Sequence, residues 1–349
     1  MNINNLIRSN IAKLKPYSSA RSLYKSGILM DANENPLNVF GADLDIELNR
    51  YPDGSNLALR EKLAKLNGVE AAQIAVGNGS DELIDLLIRI FCEPGRDEIL
   101  ITSPTYGMYE VSANINNVKI NDVPLVGIDI DVNAIKKAIT ANTKVVFLCS
   151  PNNPTGDVLK TKDILDIAKN TNTIVCVDEA YADFMETDSL LSAINEYPNI
   201  VVVRTLSKAF GMAGARLGYM FASEEIINLI QKVKPPYNIN QLTTKAVLKA
   251  LEKADVVKQA VVYLNNERKR IAETLEQINT VRKVYSSQSN FLLFKIDNAD
   301  EVFKKLVEKG IVIRSRTNMH GLQDCLRVSV GTQEQNDLFL KALKEVTNS

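Results

Sequence analysis

The chain has 349 residues, of which 45% are hydrophobic and 24% are charged, and its formal net charge is −1. We expect two lobes because the chain is too long for one small core, and the balanced charge gives no support for binding to nucleic acid. No apolar run reaches the roughly 18 residues of a membrane span. The polar segment 1–16 also lacks the apolar stretch of a secretory signal.

Cysteine and histidine usage argues against metal and disulfide sites. The four cysteines contain no Cys-x-x-Cys pair, and Cys149 and Cys176 lie in strand-like runs. We therefore expect a reduced, cytoplasmic chain with no disulfide framework and no zinc site. His320 is the single histidine of the sequence, which argues against a histidine metal cluster and weakens a Ser-His hydrolase interpretation.

The hydrophobic pattern predicts three regions along the chain. Residues 1–40 form an arm that joins the small domain, 41–236 form a large domain, and 237–349 form the small domain after Lys234-Pro235-Pro236. The clearest predicted helices are 56–66, 80–91, 241–278 with a break near 254–255, 300–309 and 333–346. Predicted strands at 290–296, 311–314 and 325–330 make the small domain an α+β lobe.

Within the large domain, short apolar runs end abruptly at polar or glycine residues. Such near-continuous apolar strands are typical of a mainly parallel sheet covered by helices, where ligands bind outside the carboxyl ends of the strands. We therefore expect the residues that follow these runs to converge on one crevice. They are Gly79, Ser80 and Asp81 after the run 74–76, Tyr106 after 98–101, Asn153 after 144–149, and Asp178 and Tyr181 at the end of 173–178.

A fifth run, 200–204, leads into Thr205-Leu-Ser207-Lys208 and then a glycine-rich stretch with Arg216. Glycines let backbone approach a ligand, while arginine and hydroxyls suit a phosphate. A lysine in this setting can form a Schiff base with an aldehyde, and pyridoxal 5′-phosphate is both an aldehyde and a phosphate ester. Alone, the segment would equally suit an ordinary loop; the four other strand ends favour a site.

The motifs extend over nearly the whole chain and carry a resemblance to a known family. The chain resembles pyridoxal phosphate-dependent enzymes of the aspartate-aminotransferase fold, type I, and among them the histidinol-phosphate aminotransferases. The motifs are Pro16-Tyr17-Ser-Ser-Ala-Arg21, Asn33-Glu34-Asn35-Pro36, Arg50-Tyr51-Pro52, Asn153-Pro-Thr-Gly156, Asp178-x-x-Tyr181, Ser207-Lys208 with Arg216, and Leu326-Arg327-Val-Ser-Val-Gly331. The resemblance implies an α/β large domain with a mainly parallel sheet flanked by helices, plus a smaller α+β domain.

The resemblance also implies roles for the residues at the strand ends. Lys208 would bind the cofactor and act as the general base, and Asp178 would pair with the protonated ring nitrogen. Tyr181 and Asn153 would hydrogen-bond the 3′-oxygen, and Tyr106 would stack on the ring. The implied phosphate site combines Gly79, Ser80, Asp81, Thr205, Ser207, Arg216 and, from the other subunit of a homodimer with shared active sites, Tyr51.

For the substrate, the resemblance implies histidinol phosphate and 2-oxoglutarate, converted to imidazole-acetol phosphate and glutamate in histidine biosynthesis. Arg327 would grip the carboxylate or phosphate, with Arg314 as a second cation or Arg316 in its place. Tyr17, Asn33, Glu34 and Tyr237 would line the pocket. Threonine-phosphate decarboxylation and aromatic transamination stay open as alternatives, whereas a regulator is disfavoured because no DNA-binding domain is visible.

Overall fold

The computed structural model of the chain describes residues 2–17, 20, 27–41, 43 and 45–347. The motif residues Ser18, Ser19 and Arg21 lie outside these ranges. Within them, no helix combines the length and the apolar character needed to cross a lipid bilayer.

The larger sheet has seven strands in the spatial order β1-β7-β6-β5-β4-β2-β3. Its strands are β1 Ile74–Asn78, β2 Glu98–Ile101, β3 Lys119–Asp122, β4 Thr143–Cys149, β5 Ile174–Asp178, β6 Ile200–Thr205 and β7 Leu217–Phe221. Adjacent strands from β3 to β6 pair in parallel, and β7 runs antiparallel to both β1 and β6. The expected mainly parallel sheet is therefore confirmed.

Both faces of this sheet are buried, which explains why its strands are apolar without interruption. Successive side chains point to opposite faces. In β4, Val145 and Phe147 join one hydrophobic core, whereas Val146 and Leu148 join the other. A sheet that is covered on both sides places its loops, and so its polar residues, at the strand ends.

Helices cover both faces of the sheet and build the second domain. Those in the described ranges are α1 Ser9–Lys13, α2 Leu57–Asn67, α3 Gly79–Phe91, α4 Met108–Ile115, α5 Val132–Ala138, α6 Thr161–Asn170, α7 Glu224–Val233, α8 Gln241–Leu251, α9 Ala254–Glu276, α10 Ala299–Glu308 and α11 Gln333–Thr347. On one face α3, α4 and α7 bury their apolar residues, and on the other α2, α5, α6 and α8 do so.

The smaller domain is an antiparallel sheet in the order β10-β11-β9-β8, with β8 Val281–Val284, β9 Phe291–Ile296, β10 Arg314–Ser315 and β11 Cys325–Ser329. Its core joins Leu275 of α9, Phe294 of β9, Leu306 of α10 and Leu343 of α11, each fully buried. The expected α+β lobe is therefore present.

The two ends of the large domain differ from the expectation. Ile3, Leu6 and Ile11 are buried in the same core as α7, so this part of the arm packs on the large sheet rather than the small domain. Val247 and Leu251 of α8 also lie in a core of the large sheet, beyond the expected boundary at 236. Apolar burial, rather than the Pro235-Pro236 break, fixes where these segments belong.

The strand expected at 311–314 is wrong in its extent. Only Arg314–Ser315 form β10, and the residues before them follow Gly310, whose φ is +79°. The β-branched run has strand propensity, but its backbone has no ladder partner there, and Val312 is 79% exposed. Propensity alone does not make a strand at the edge of a sheet.

Candidate active site

One pocket lies where β4, β5 and β6 end and α3 begins. It receives every residue that the strand-end argument singled out in the large sheet, together with Cys149, Ala180 and Ala213. The residues that line it are Gly79, Ser80, Asp81, Tyr106, Cys149, Asn153, Asp178, Ala180, Tyr181, Thr205, Ser207, Lys208, Ala213 and Arg216. Residues far apart in sequence converge because parallel strands direct their carboxyl ends to one edge.

Lys208 follows β6 and reaches into the pocket beside an aromatic ring. Its Nζ lies 5.5 Å from the centroid of the Tyr181 ring. Burial lowers the pKa of Lys208, and the positive charge of Arg327 lowers it further, while Asp178 acts in the opposite direction. The amine is therefore easier to deprotonate than that of a solvated lysine, as a nucleophile or a general base requires.

Asp178, the last residue of β5, is a buried carboxylate held by two donors. Its Oδ2 accepts a hydrogen bond from the Tyr109 hydroxyl at 2.7 Å, and its Oδ1 accepts one from the Ala180 backbone N–H at 3.0 Å. Burial raises the pKa of Asp178 to about 6, and both hydrogen bonds oppose that rise. A cationic partner in the pocket would stabilise the ionised form.

Tyr109, which is fully buried behind Asp178, was not predicted from the sequence as a site residue. Its ring stacks on Phe147 of β4 with centroids 4.8 Å apart, so the hydroxyl is fixed against the carboxylate. The available signal was its spacing: Tyr109 follows Tyr106 by three residues, on the first turn of α4. From the sequence alone, a tyrosine in such a position is expected to be an ordinary core residue. Only the folded sheet brings it next to Asp178.

The opposite end of the pocket can bind an anion. Helix α3 starts there, and the backbone N–H groups of Ser80 and Asp81 in its first turn lack intrahelical acceptors. The Gly79 N–H, by contrast, is already bonded to the Arg216 carbonyl at 2.9 Å. The Asp81 carboxylate accepts from the Tyr106 hydroxyl at 3.0 Å and lies 3.6 Å from the Arg216 guanidinium.

Close packing at this end depends on glycines. A Cβ on Gly79 would lie 2.6 Å from Nη2 of Arg216, and a Cβ on Gly218 would lie 2.2 Å from the Ser80 nitrogen. On the facing side, the Ser207 N–H donates to Thr205 Oγ1 at 3.1 Å, so the two hydroxyls are clustered. Backbone N–H groups, hydroxyls and an arginine therefore surround one small volume.

These residues fit pyridoxal 5′-phosphate. The donor set at the α3 end matches a phosphate, the buried Asp178 carboxylate matches a protonated ring nitrogen, and Lys208 matches the aldehyde. Tyr106 offers an aromatic surface between the two ends, because it lines the same pocket and is held by its bond to Asp81. The pocket thus has a complementary group for each end of the cofactor.

Arg327 of β11 connects the small domain to this pocket. Its Nη1 donates to Asn153 Oδ1, and its guanidinium lies 5.0 Å from the Phe291 ring centroid. Asn153 therefore keeps its Nδ2 group as the donor available to a ligand. The Arg327 Nε is buried and has no hydrogen-bond partner among the described residues.

Arg314 and Arg316 cluster with Arg327. Arg314 is the cross-strand partner of Arg327 and is exposed, whereas Arg316 is half-buried and its Nε is buried without a partner in the described part of the chain. Burial lowers the pKa of Arg316 to about 10, and the charges of Arg327 and Arg314 lower it further. Like charges placed this close are unfavourable until an anion joins them.

The remaining predicted residues lie outside the cofactor pocket. Tyr51 and Tyr237 stack with ring centroids 4.5 Å apart and line a second pocket with Asn33 and Glu34. The Glu34 carboxylate is bonded to Arg50 at 2.8 Å and accepts from the Tyr51 N–H at 2.7 Å. Tyr17 is 74% exposed and lines neither pocket.

A lysine-centred pocket at the carboxyl ends of a mainly parallel sheet, beside a smaller α+β domain, defines a pyridoxal phosphate-dependent enzyme of fold type I. The chain belongs to the aminotransferase class I and II family, whose family model matches residues 29–343. It is 46% identical to the histidinol-phosphate aminotransferase of Christiangramia forsetii, and the match covers 99% of each chain.

Two solved structures are similar over most of the chain. The histidinol-phosphate aminotransferase from Sinorhizobium meliloti, in complex with pyridoxal-5′-phosphate, matches with a TM-score of 0.80 and 25% identity, covering 90% of this chain and 88% of that one. The L-threonine-O-3-phosphate decarboxylase from Porphyromonas gingivalis matches with a TM-score of 0.75 and 25% identity, covering 86% and 92%. The shared fold accommodates two reactions, so the fold alone does not determine the substrate.

Proposed function

We propose that the protein is an aminotransferase that interconverts histidinol phosphate and 2-oxoglutarate with imidazole-acetol phosphate and glutamate, a step of histidine biosynthesis. The structural observation that carries the proposal is the arginine cluster around Arg327, next to Lys208. Each substrate is an anion, and a fork-shaped guanidinium binds a carboxylate or a phosphate bidentately. The full-length similarity to the C. forsetii enzyme supports the same reaction.

In the proposed mechanism, Lys208 moves the proton. When bound, pyridoxal phosphate supplies an electron sink for the pair left by the broken C–H bond. The Lys208 Nζ would accept the proton from the amine-bearing carbon of the substrate and deliver it to the carbon of the cofactor aldehyde, and its lowered pKa favours this role over that of a solvated lysine. Asp178 would stabilise positive charge on the ring nitrogen, and the hydrogen bond from Tyr109 keeps the Asp178 carboxylate oriented for it.

The other pocket residues bind and orient. Tyr181 and Asn153 would donate hydrogen bonds to the 3′-oxygen of the cofactor, and burial raises the pKa of Tyr181, which keeps its hydroxyl protonated as a donor. Tyr106 would supply an aromatic surface for the ring. The N–H groups of Ser80 and Asp81 would hold the phosphate together with Thr205, Ser207 and Arg216, and Gly79 permits the turn that presents these N–H groups.

For the substrate anion, Arg327 is the primary contact and Arg316 is the better second cation. Arg316 has a buried Nε without a partner among the described residues, whereas Arg314 is exposed to solvent. An unmet buried donor is unfavourable by about 1–3 kcal/mol, which an incoming phosphate oxygen would relieve. Asn33, Tyr17 and Tyr237 stay proposed as the outer wall of the substrate site.

We also propose a homodimer in which the partner subunit's Tyr51 completes the phosphate site. In a single chain Tyr51 lies outside the cofactor pocket, and it is 49% exposed. The neighbouring segment exposes Ile28, Met30 and Phe40 at 78% or more, an apolar surface that a second copy would cover. The four buried free cysteines support a reduced, cytoplasmic location.

Paired assays on the purified protein test the reaction. We expect histidinol phosphate with 2-oxoglutarate to yield glutamate, and threonine phosphate to yield no CO2. CO2 release from threonine phosphate without glutamate formation would instead assign a decarboxylase, the reaction named for the P. gingivalis structure. Faster turnover of unphosphorylated aromatic amino acids would assign an aromatic aminotransferase.

A further inference from the structure

Lys234 is a buried cation far from the catalytic lysine in sequence. It follows α7 directly and is 5% exposed. Its Nζ donates to the Gly54 carbonyl at 2.9 Å and to Asn238 Oδ1 at 3.0 Å. Glu82 and Asp53 act on it electrostatically, but neither forms an ion pair with it within the described part of the chain.

A buried ammonium without an ion pair is costly, so its hydrogen bonds must matter to the structure. Burial lowers the pKa of Lys234 to about 8, and the charge of Arg60 contributes. An apolar side chain would fill the same space without this desolvation. The lysine is instead bonded directly to one chain segment, at the Gly54 carbonyl, and is connected through Asn238 to a second segment.

The first of these segments carries Tyr51. Lys234 holds it at the Gly54 carbonyl, and a Cβ on Gly54 would lie 2.5 Å from the Pro236 carbonyl oxygen, so the two backbones are in close contact. Three residues before Gly54, the Tyr51 ring stacks on Tyr237 with an interplanar angle of 16°. The segment is therefore fixed against residues 234–238.

The second segment is the start of α3, where the cofactor phosphate is proposed to bind. Asn238 Nδ2 donates to Glu82 Oε2 at 3.0 Å and to the Val76 carbonyl at 3.1 Å. Glu82 Oε2 also accepts from the Asn78 N–H at 2.6 Å, directly before Gly79. Asn238 thus connects Lys234 to the first turn of α3.

We propose that Lys234, through Asn238 and Glu82, is a positioning residue that ties the Tyr51 segment to the phosphate-binding end of α3. These hydrogen bonds would fix the direction in which the Tyr51 side chain extends toward the partner subunit. They would also fix the geometry of the phosphate loop at residues 79–81. This inference rests on the proposed role of Tyr51 in the partner's phosphate site. Lys234 touches neither substrate nor cofactor.

The test is the rate at which pyridoxal phosphate leaves the holoenzyme, followed by absorbance after dilution. We expect Lys234→Met to quicken release about tenfold, the equivalent of one charge-assisted hydrogen bond. The matched control is Lys232→Met. Lys232 lies on α7, and its Nζ bonds two carbonyls of the N-terminal arm, Ile11 at 2.8 Å and Ala12 at 3.0 Å, so its loss should leave release unchanged.

A double variant at Lys234 and Tyr51 distinguishes a positioning role of Lys234 from a general loss of stability. If Lys234 acts through the Tyr51 segment, the double variant Lys234→Met with Tyr51→Phe should release the cofactor more slowly than the product of the single effects predicts. Amide exchange in the holoenzyme should also quicken at residues 51–56 in Lys234→Met and not in Lys232→Met. Fully multiplicative effects, or unchanged release in a folded Lys234→Met protein, would overturn the inference.

Two further outcomes are distinguishable. If Tyr51→Phe leaves release unchanged, the proposed Tyr51 contact fails, and amide exchange at 51–56 and 79–82 then decides on Lys234 alone. If Lys234→Met does not fold, Asn238→Ser replaces it, because that change removes the link to Glu82 and keeps the lysine. The same acceleration is expected there, and wild-type release would contradict the account.

Discussion

At the scale of single residues, the proposed proton transfer by Lys208 can be tested by substitution. We expect Lys208→Ala to fold, to lose the yellow absorbance of lysine-bound cofactor and to lose nearly all transamination, because no other described amine lines the pocket. Absorbance and glutamate formation are the measurements, with Lys232→Ala as the control. Transamination retained by the Lys208 variant would show that Lys208 does not transfer the proton.

Asp178 gives a pH-dependent prediction for the cofactor-free protein. Its folded pKa of about 6 exceeds its ordinary value of 3.8, so the folded state binds the proton more tightly and loses stability as the pH rises between these values. Asp178→Asn removes this loss. Relative to wild type, the variant should therefore gain about 2 kcal/mol of unfolding free energy between pH 4 and pH 7.

Urea unfolding at both pH values measures this gain, and other titrating groups cancel in the comparison. An equal stability difference at pH 4 and pH 7 would show that Asp178 is not protonated more readily in the fold. In the holoenzyme the same substitution should lower activity by orders of magnitude, because the ring nitrogen loses its anionic partner.

The arginine cluster predicts that substitutions at Arg316 and Arg314 will lower kcat/KM to different extents. Arg316→Gln should lower kcat/KM for histidinol phosphate by about 10- to 100-fold, because it removes a buried, charge-assisted contact, whereas Arg314→Gln should cost less than about fivefold. Each half-reaction is measured separately, with histidinol phosphate and with glutamate. A larger loss of kcat/KM in Arg314→Gln than in Arg316→Gln would assign the second phosphate contact to Arg314 instead.

The sequence indicated which polar residues would meet in one pocket, but it did not indicate their contacts there. Lys208 and Asp178 were predicted from their places at the ends of strand-like runs, and Arg216 from the glycine-rich stretch that follows Lys208. Tyr109 was missed because its role depends on the packing of α4 against β4 and β5. Arg327, rather than Arg216, is the larger cationic influence on the pKa of Lys208, and only the fold brings β11 to the pocket.

At the scale of elements, the contact between β7 and α3 positions the phosphate loop. Gly218→Ala should push the first turn of α3 outward, because the new Cβ would lie 2.2 Å from the Ser80 nitrogen. We expect a loss of about 1–3 kcal/mol in stability and weaker binding of pyridoxal phosphate. Thermal unfolding and cofactor titration measure the two effects.

Gly214→Ala is the matched control for that change. Gly214 lies in the same glycine-rich stretch, but no described atom lies within 4 Å of the position that an added Cβ would take, and its φ is not positive. The variant should bind the cofactor like wild type. Equal effects of the two substitutions would mean that the stretch responds to any added side chain and that the α3 contact is not special.

The observed helices and strands match the bounds predicted from the sequence closely where burial and intrinsic propensity favour the same structure. Helix α2 begins one residue after its expected start, and the expected break in the long helical stretch falls between Leu251 and Ala254. The run at 311–313 failed because a strand needs a partner. The limits of the large domain also failed, because tertiary burial places Ile11 and Leu251 on the large sheet.

At the scale of the whole molecule, the proposal that two chains share each active site can be tested with mixed dimers. A Lys208→Ala protein and an inactive Tyr51 variant, mixed so that subunits exchange, should regain activity, because one composite site then has both residues intact. The expected recovery approaches one working site per heterodimer. The Tyr51 substitution must by itself abolish activity, and heterodimers must be shown to form.

Absence of recovery under those conditions would place Tyr51 in the site of its own subunit. The structure of one chain keeps Tyr51 stacked on Tyr237 and outside the cofactor pocket, which is the arrangement that a shared site requires. Sequence alone could indicate this only through the family resemblance, because the distance from Tyr51 to Lys208 depends on the folded chain.

The most direct test of the central claim is a single turnover of the purified holoenzyme with histidinol phosphate and no keto acid. The account predicts loss of the lysine-bound cofactor absorbance, about one imidazole-acetol phosphate formed per active site, and recovery of the absorbance when 2-oxoglutarate is added. An unchanged spectrum with histidinol phosphate, together with CO2 release from threonine phosphate, would contradict the account.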